Sequence, residues 1–153
     1  MTTRRLVDLL WSWLPVLVWM GVILWLSSRS DLRSAAPTPV MESQSVFFAV
    51  SKVAHVVEYS VLGLLLLRAL HGSGGGLNLS LGLAIVVSIL VSGLFGALDE
   101  LRQSFVPNRT PRLADVALDT GSALAATLLA ASLSRLRGIR TASKQVRVER
   151  ART

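Results

Sequence analysis

The sequence predicts an all-α integral membrane protein, a bundle of four transmembrane helices with both termini cytoplasmic. Three observations carry that prediction. Hydrophobic residues make up 52% of the 153-residue chain and the mean hydropathy is +0.56, more apolar than an ordinary soluble domain of this length. Apolar runs of about 18 to 21 residues recur at Leu9–Leu26, Val53–Leu70, Leu79–Leu98 and Leu113–Leu133, each roughly 27 to 31 Å long as a helix and therefore able to cross a bilayer core. The charge is uneven: residues 1–134 hold nine Lys/Arg against eight Asp/Glu, while residues 135–153 hold seven Lys/Arg against Glu149 alone and so carry +6 of the net +7. A near-neutral body with a basic tail is the layout of a small membrane protein.

These quantities also exclude classes. With no cysteine the chain holds neither disulfides nor thiolate metal sites, and its apolarity excludes a disordered or collagenous chain. A pI near 11.5 suggests nucleic acid, but the positive charge sits in the tail without an aromatic or groove-reading motif. No nucleic-acid partner is expected, and the tail reads as a topology anchor against anionic lipid.

Along the chain, span one follows Arg4 and Arg5 as a signal peptide would, yet it is long and no Ala-x-Ala site follows closely, so it reads as an uncleaved helix. Trp11 and Trp13 near its start and Trp25 near its end fall at the interfacial levels indoles prefer, with Trp19 mid-span. The stretch from Ser27 to about Ser45, containing Pro37 and Pro39, reads as an external loop, after which Phe47 and Phe48 enter the interface. Gly72, Gly74, Gly75 and Gly76 make a short cytoplasmic turn that pairs spans two and three as a hairpin. No Gly-Lys-Ser/Thr follows, so it is not a phosphate loop. Asn78-Leu79-Ser80 and Asn108-Arg109-Thr110 match a glycosylation sequon too short to carry a function.

Orientation follows from basic residues: Arg4, Arg5, Arg68 and the tail place ten on the side of the termini against six on the other, which makes the termini cytoplasmic. Four of the six, Lys52, Arg102, Arg109 and Arg112, lie among acidic residues.

Those acidic residues interrupt the spans and cost several kcal/mol unless they face protein or water. With His55 at zero and 100° per residue, Lys52 falls at about 60°, Tyr59 at about 40° and Glu58 at about −60°, one face of span two. Span three ends in Asp99, Glu100, Arg102 and Gln103, with Asp99 and Gln103 four apart; span four opens with Asp115 and Asp119, also four apart. All three places lie on one side of a four-span protein, the outer side by the charge rule. The loop from Phe105 to Arg112 lies over them, stiffened by Pro107 and Pro111 and aiming Arg109 at the cluster. Small residues, Ser88, Ser92 and Gly96 on span three and Gly121 and Ala125 on span four, predict close helix packing beneath the cluster.

Read in order, Lys52-x-x-His55-x-x-x-Tyr59-x-x-Leu62, then Asp99-Glu100-x-x-Gln103-x-x-x-Pro107-x-Arg109, then Asp115-x-x-x-Asp119-x-Gly121, the chain resembles the VanZ-like family over roughly residues 50 to 125. That family comprises small multi-span bacterial membrane proteins named after one that lowers susceptibility to the glycopeptide teicoplanin. The resemblance implies a bacterial plasma membrane location, a link to the cell envelope and a bearing on antibiotic resistance. It supplies no mechanism. Asp119 stands where the family more often has Asn, and Asn108 where Gly is frequent. On this reading residues 1–134 form the VanZ-like domain and residues 135–153 the basic cytoplasmic tail.

The ligand-binding candidates are Lys52, His55, Glu58, Tyr59, Asp99, Glu100, Gln103, Arg109, Asp115 and Asp119. Arg109 and Lys52 are suited to gripping a phosphate or carboxylate, or to neutralising the carboxylates. If the protein is catalytic, the candidates are His55 as base with Asp99 or Asp115 orienting it, but no Ser or Cys nucleophile motif accompanies them. His55 with the carboxylates offers nitrogen and oxygen donors in a spacing that matches no metal signature, so neither metal nor cofactor is expected. Three functional readings stand. The first is a non-enzymatic envelope protein whose outward pocket binds a polar group of a lipid, a cell-wall precursor or a glycopeptide. The second is a membrane-embedded hydrolase or transferase on a phosphate- or sugar-bearing lipid, and the third a structural bundle with the cluster as glue. The bilayer is the one assured partner, and the oligomeric state is left open.

Overall fold

The computed structural model describes residues 3–28, 44–72, 77–105 and 112–150, with side chains omitted at 4–5, 44–47 and 137–150. Four helices account for nearly all of them: α1 Thr3–Ser27, α2 Gln44–His71, α3 Leu81–Gln103 and α4 Leu113–Arg150. Each contains a stretch long and apolar enough to cross a membrane, at Leu6–Ser27, Phe48–His71, Leu81–Gln103 and Leu113–Leu136. In hydrocarbon no water is available for backbone groups, so a run of this length must satisfy them internally as a helix. Span two starts earlier than its apolar run because α2 takes in Phe48 and Lys52, and α4 runs on through the basic segment to Arg150.

The helix faces are sorted as a membrane sorts them. On α3, Leu83, Val86, Leu90, Leu94, Leu98 and Leu101 are exposed, whereas Ser88, Ser92, Asp99, Glu100 and Gln103 are buried. Such an apolar stripe would be a liability in water and is the expected lipid-facing surface here. Trp11 and Trp25, near the two ends of α1, are both exposed, as interfacial indoles should be.

α4 packs against α2 and α3, and α1 lies mainly on α2. The mid-bundle core joins Val16 and Ile23 of α1, Leu62, Leu66 and Leu70 of α2, and Ala84 and Phe95 of α3. Glycine sets the closest approach of two helices: a Cβ on Gly63 would sit 3.0 Å from both Cα and Cβ of Ala123. On α3 the expected small-residue stripe holds, with Ser88, Ser92 and Gly96 all buried. On α4 the expectation fails. Gly121 and Ala125 are exposed, a Cβ on Gly121 would meet nothing within 4 Å, and Ser122, Ala123 and Thr127 take the inner face instead. Hydroxyls that bond back to the carbonyl four residues earlier, Ser122 to Leu118 at 2.7 Å and Thr127 to Ala123 at 2.8 Å, are satisfied without a partner helix and so fit that face.

Pro15 lies inside α1. It has no N–H, so the Trp11 carbonyl one turn earlier loses its helical donor. Arg68 of α2 replaces it, its Nη2 donating to that carbonyl at 3.1 Å. Beyond Arg68, α2 ends at Gly72, whose N–H reaches the Arg68 carbonyl at 2.8 Å and whose Cβ, if present, would lie 2.5 Å from that oxygen. Leu79 N–H to the Leu70 carbonyl at 2.9 Å, Asn78 at φ 49° and the Ser80 cap on Leu83 N–H complete the tight return into α3. The expected glycine turn is thereby seen at Gly72; Gly74, Gly75 and Gly76 lie outside the described residues, as do Pro37, Pro39 and most of the loop expected after Ser27.

Candidate functional site

The antiparallel order of the helices brings the end of α1, the start of α2, the end of α3 and the start of α4 to one end of the bundle. His55, Asp99, Glu100, Gln103, Asp115 and Asp119 are all buried there, and Asp99 and Asp119 are each only 1% exposed. Tyr59 is fully buried beneath them. Nine of the ten ligand-binding candidates therefore lie on described helices; Arg109 lies outside the described residues, with Asn108, Pro107 and Pro111.

The cluster has two halves. One ties α1 to α3. Asp99 Oδ1 accepts from Ser27 Oγ at 2.6 Å, and Asp99 Oδ2 accepts from Gln103 Nε2 at 2.9 Å. Arg102 pairs with Asp99 at 3.4 Å, donates to the Leu24 carbonyl at 2.6 Å and to Ser28 Oγ at 2.7 Å, and also reaches Ser27 Oγ. Both Asp99 oxygens are engaged, and the Leu24 carbonyl near the end of α1, which also accepts from the Ser28 N–H at 3.1 Å, gains a charged donor. Spacing on spans two to four gave no hint of α1 here, although Ser27-Ser28 at the end of the first apolar run was a visible polar break.

The other half lies between α2, the end of α3 and α4. His55 Nδ1 sits 3.0 Å from Asp119 Oδ1, so the carboxylate that meets the imidazole is Asp119, neither Asp99 nor Asp115. The imidazole stacks over Tyr59, with ring centroids 6.4 Å apart and planes 6° from parallel, and Phe95 packs tilted against the phenol. Lys52 pairs with Asp115 Oδ1. Arg112 donates its backbone N–H to Glu100 Oε2 at 2.8 Å. At the mouth, Lys52 and Arg112 lie 5.0 and 5.7 Å from the Phe48 ring centre, two cations on one phenyl ring. Glu58 is half-buried beside α1, where Trp19 Nε1 donates to its backbone carbonyl at 2.9 Å.

Packing presses on this half from below. A Cβ on Gly96 would lie 3.0 Å from Asp119 Oδ2 and 3.5 Å from the Tyr59 ring, so only glycine there lets α3 approach the His55–Asp119 pair. Several buried polar atoms nevertheless have no hydrogen-bond partner among the described residues: the Tyr59 hydroxyl, Glu100 Oε1 and Asp119 Oδ2, with Ser92 Oγ below and Arg102 Nε in the neighbouring half. Such atoms are uncommon because each costs about 1–3 kcal/mol. One donor atom from each of His55, Glu100 and Asp115 also falls within 4.8 Å of the other two.

A family model described as VanZ/LLP1 matches residues 12–135, which overlaps all four spans. No curated protein and no solved structure matches the chain.

Proposed function

The chain belongs to the VanZ-like family of multi-span membrane proteins, and from that premise we propose that the His55–Glu100–Asp115 half of its polar cluster is an outward-facing pocket for a polar group at the outer leaflet. The ligand class is the head of an envelope lipid, a lipid-linked cell-wall precursor or a glycopeptide such as teicoplanin, and the membrane is the bacterial plasma membrane. One observation carries the reading: one buried carboxylate oxygen of Glu100 and one of Asp119 have no hydrogen-bond partner among the described residues, beside a mouth that presents the cations Lys52 and Arg112. A bundle needing only glue would satisfy these carboxylate oxygens, as it does both oxygens of Asp99. A ligand with donors to meet the carboxylates and an anionic group to meet the cations fits both features. The basic residues on the side of the termini support an outer location for the pocket.

Two measurements test the proposal. The chain has no cysteine, so Leu113→Cys, exposed at the polar end, and Leu77→Cys, exposed at the other, report orientation by impermeant maleimide labelling of intact cells. Labelling at 113 and not at 77 is expected; the reverse pattern puts the pocket in the cytoplasm and removes the envelope ligands. Expression in a teicoplanin-sensitive host is then expected to lower susceptibility with the wild type and not with His55→Ala. An equal response for wild type, variant and empty host removes the glycopeptide branch.

The oriented imidazole favours one second reading. His55 held by Asp119 at 3.0 Å is the geometry of a general base, which would serve a hydrolase or transferase on a lipid whose anion rests at Lys52. A lipid species consumed in wild-type membranes but not in His55→Ala membranes selects that reading.

A further inference from the structure

In His55, Glu100 and Asp115 one side-chain atom is engaged by a positioning partner, and among the described residues its twin has none. Asp119 takes His55 Nδ1, which leaves Nε2. The Arg112 N–H takes Glu100 Oε2, and Oε1 is buried and unpartnered on a residue only 6% exposed. Lys52 takes Asp115 Oδ1, which leaves Oδ2. Donor atoms of these three residues converge within 4.8 Å of one another, so a point in their midst is no more than about 2.8 Å from each. Bonds of about 2.0–2.2 Å to a divalent metal then need an inward movement of under 1 Å per ligand.

The geometry points to a divalent cation site formed by His55, Glu100 and Asp115 at the mouth of the bundle. Charge supports it. Asp99 and Asp115 pair with the fixed cations Arg102 and Lys52, and Asp119 faces the His55 imidazole, whereas among the described residues no cationic side chain pairs with Glu100. A buried carboxylate in that position is expensive, and a cation removes the cost. The Asp119–His55 contact is the outer-shell arrangement that fixes the tautomer and orientation of a ligating imidazole. One nitrogen with two carboxylates is a mixed donor set suited to Mn²⁺ or Zn²⁺. The sequence spacing gave no metal signature because the ligands come from three helices, one residue each. The inference rests on the reading that this half of the cluster is a receiving site, and it adds what the protein itself loads there: an ion whose open positions face the mouth, where the anionic group of a ligand would complete its shell.

The test uses the full-length protein in detergent, stripped with a chelator and titrated with Mn²⁺ alone, free ion being read by electron paramagnetic resonance. One Mn²⁺ per chain is expected, displaced by Zn²⁺. Binding should weaken at least tenfold in His55→Ala and Glu100→Gln, and by about 10–100-fold in Asp119→Asn through loss of the outer-shell contact. Asp8→Asn, at the far end of α1, should bind like the wild type. Pulsed spectra of the wild type should show coupling to an imidazole nitrogen that persists in His71→Ala, the only other histidine, so the test stands even if a site variant does not fold. Absence of a stoichiometric ion on folded wild type overturns the site. So does binding undiminished in both His55→Ala and Glu100→Gln, or nitrogen coupling lost in His71→Ala. Mn²⁺ that binds only to Arg109→Ala also overturns it, because that guanidinium would then hold the place assigned to the ion. No lipid or glycopeptide is present, so failure here leaves the envelope reading intact, and failure of the envelope reading leaves the ion in place.

Discussion

Two neighbouring groups of charged residues at one end of this bundle solve the same problem differently. Around Asp99, a buried carboxylate is fully engaged by Ser27, Gln103 and Arg102, and the helix end it secures gains a donor from the same guanidinium. Around Glu100, a carboxylate that is also buried keeps one oxygen without a partner among the described residues, with donor atoms of a histidine and a second carboxylate within 4.8 Å. Both sit in a bundle whose outer surface is apolar, so both face the same desolvation cost. The first group behaves as interhelical glue. The second leaves hydrogen-bonding capacity unused among the described residues, and the proposed pocket rests on that difference.

The contrast is broken most forcefully at Asp99. Asp99→Ala strips Ser27, Gln103 and Arg102 of a shared acceptor and should destabilise by about 3 kcal/mol, seen as a lower melting temperature and poor recovery of monodisperse protein. A melting temperature equal to wild type would mean that the α1–α3 tie is ornamental. Next in size is Gly63→Ala, whose Cβ would meet the α4 backbone at Ala123; forcing α2 and α4 apart should cost ~2 kcal/mol and disturb the His55–Asp119 half, which those helices carry. Arg68→Ala removes the substitute donor at the Trp11 carbonyl and should cost ~1 kcal/mol, confined to the opposite end and therefore without effect on Mn²⁺ binding. Gly121→Ala meets open space and should stay within about 0.5 kcal/mol of wild type, which separates packing glycines from merely nearby ones.

The fold was legible because its signals are local. Four apolar runs of membrane-spanning length, and the face shared by Lys52, His55 and Tyr59, need nothing beyond period and length. The gathering of His55, Asp99, Glu100, Asp115 and Asp119 at one end follows from counting spans. The pairings were not legible. Whether His55 meets Asp99, Asp115 or Asp119 depends on the rotation of α4 about its own axis, and the exposed Gly121 shows that the small-residue pattern misjudged that rotation. Ser27 escaped notice because a serine at a helix end more often caps its own helix than reaches an aspartate 72 residues away. Pro15 was readable as a broken hydrogen bond, but only the placement of α2 identifies Arg68 as its repair. The convergence of His55, Glu100 and Asp115 within 4.8 Å is wholly tertiary.

The most direct test of the division between glue and pocket is the melting temperature of Glu100→Gln in detergent, with metal removed. Removing a buried charge that has no ionic partner among the described residues, while keeping an amide oxygen for the Arg112 N–H, should leave the melting temperature unchanged or raise it. A fall comparable to that of Asp99→Ala would contradict the account, since Glu100 would then be holding the bundle together rather than waiting for a ligand.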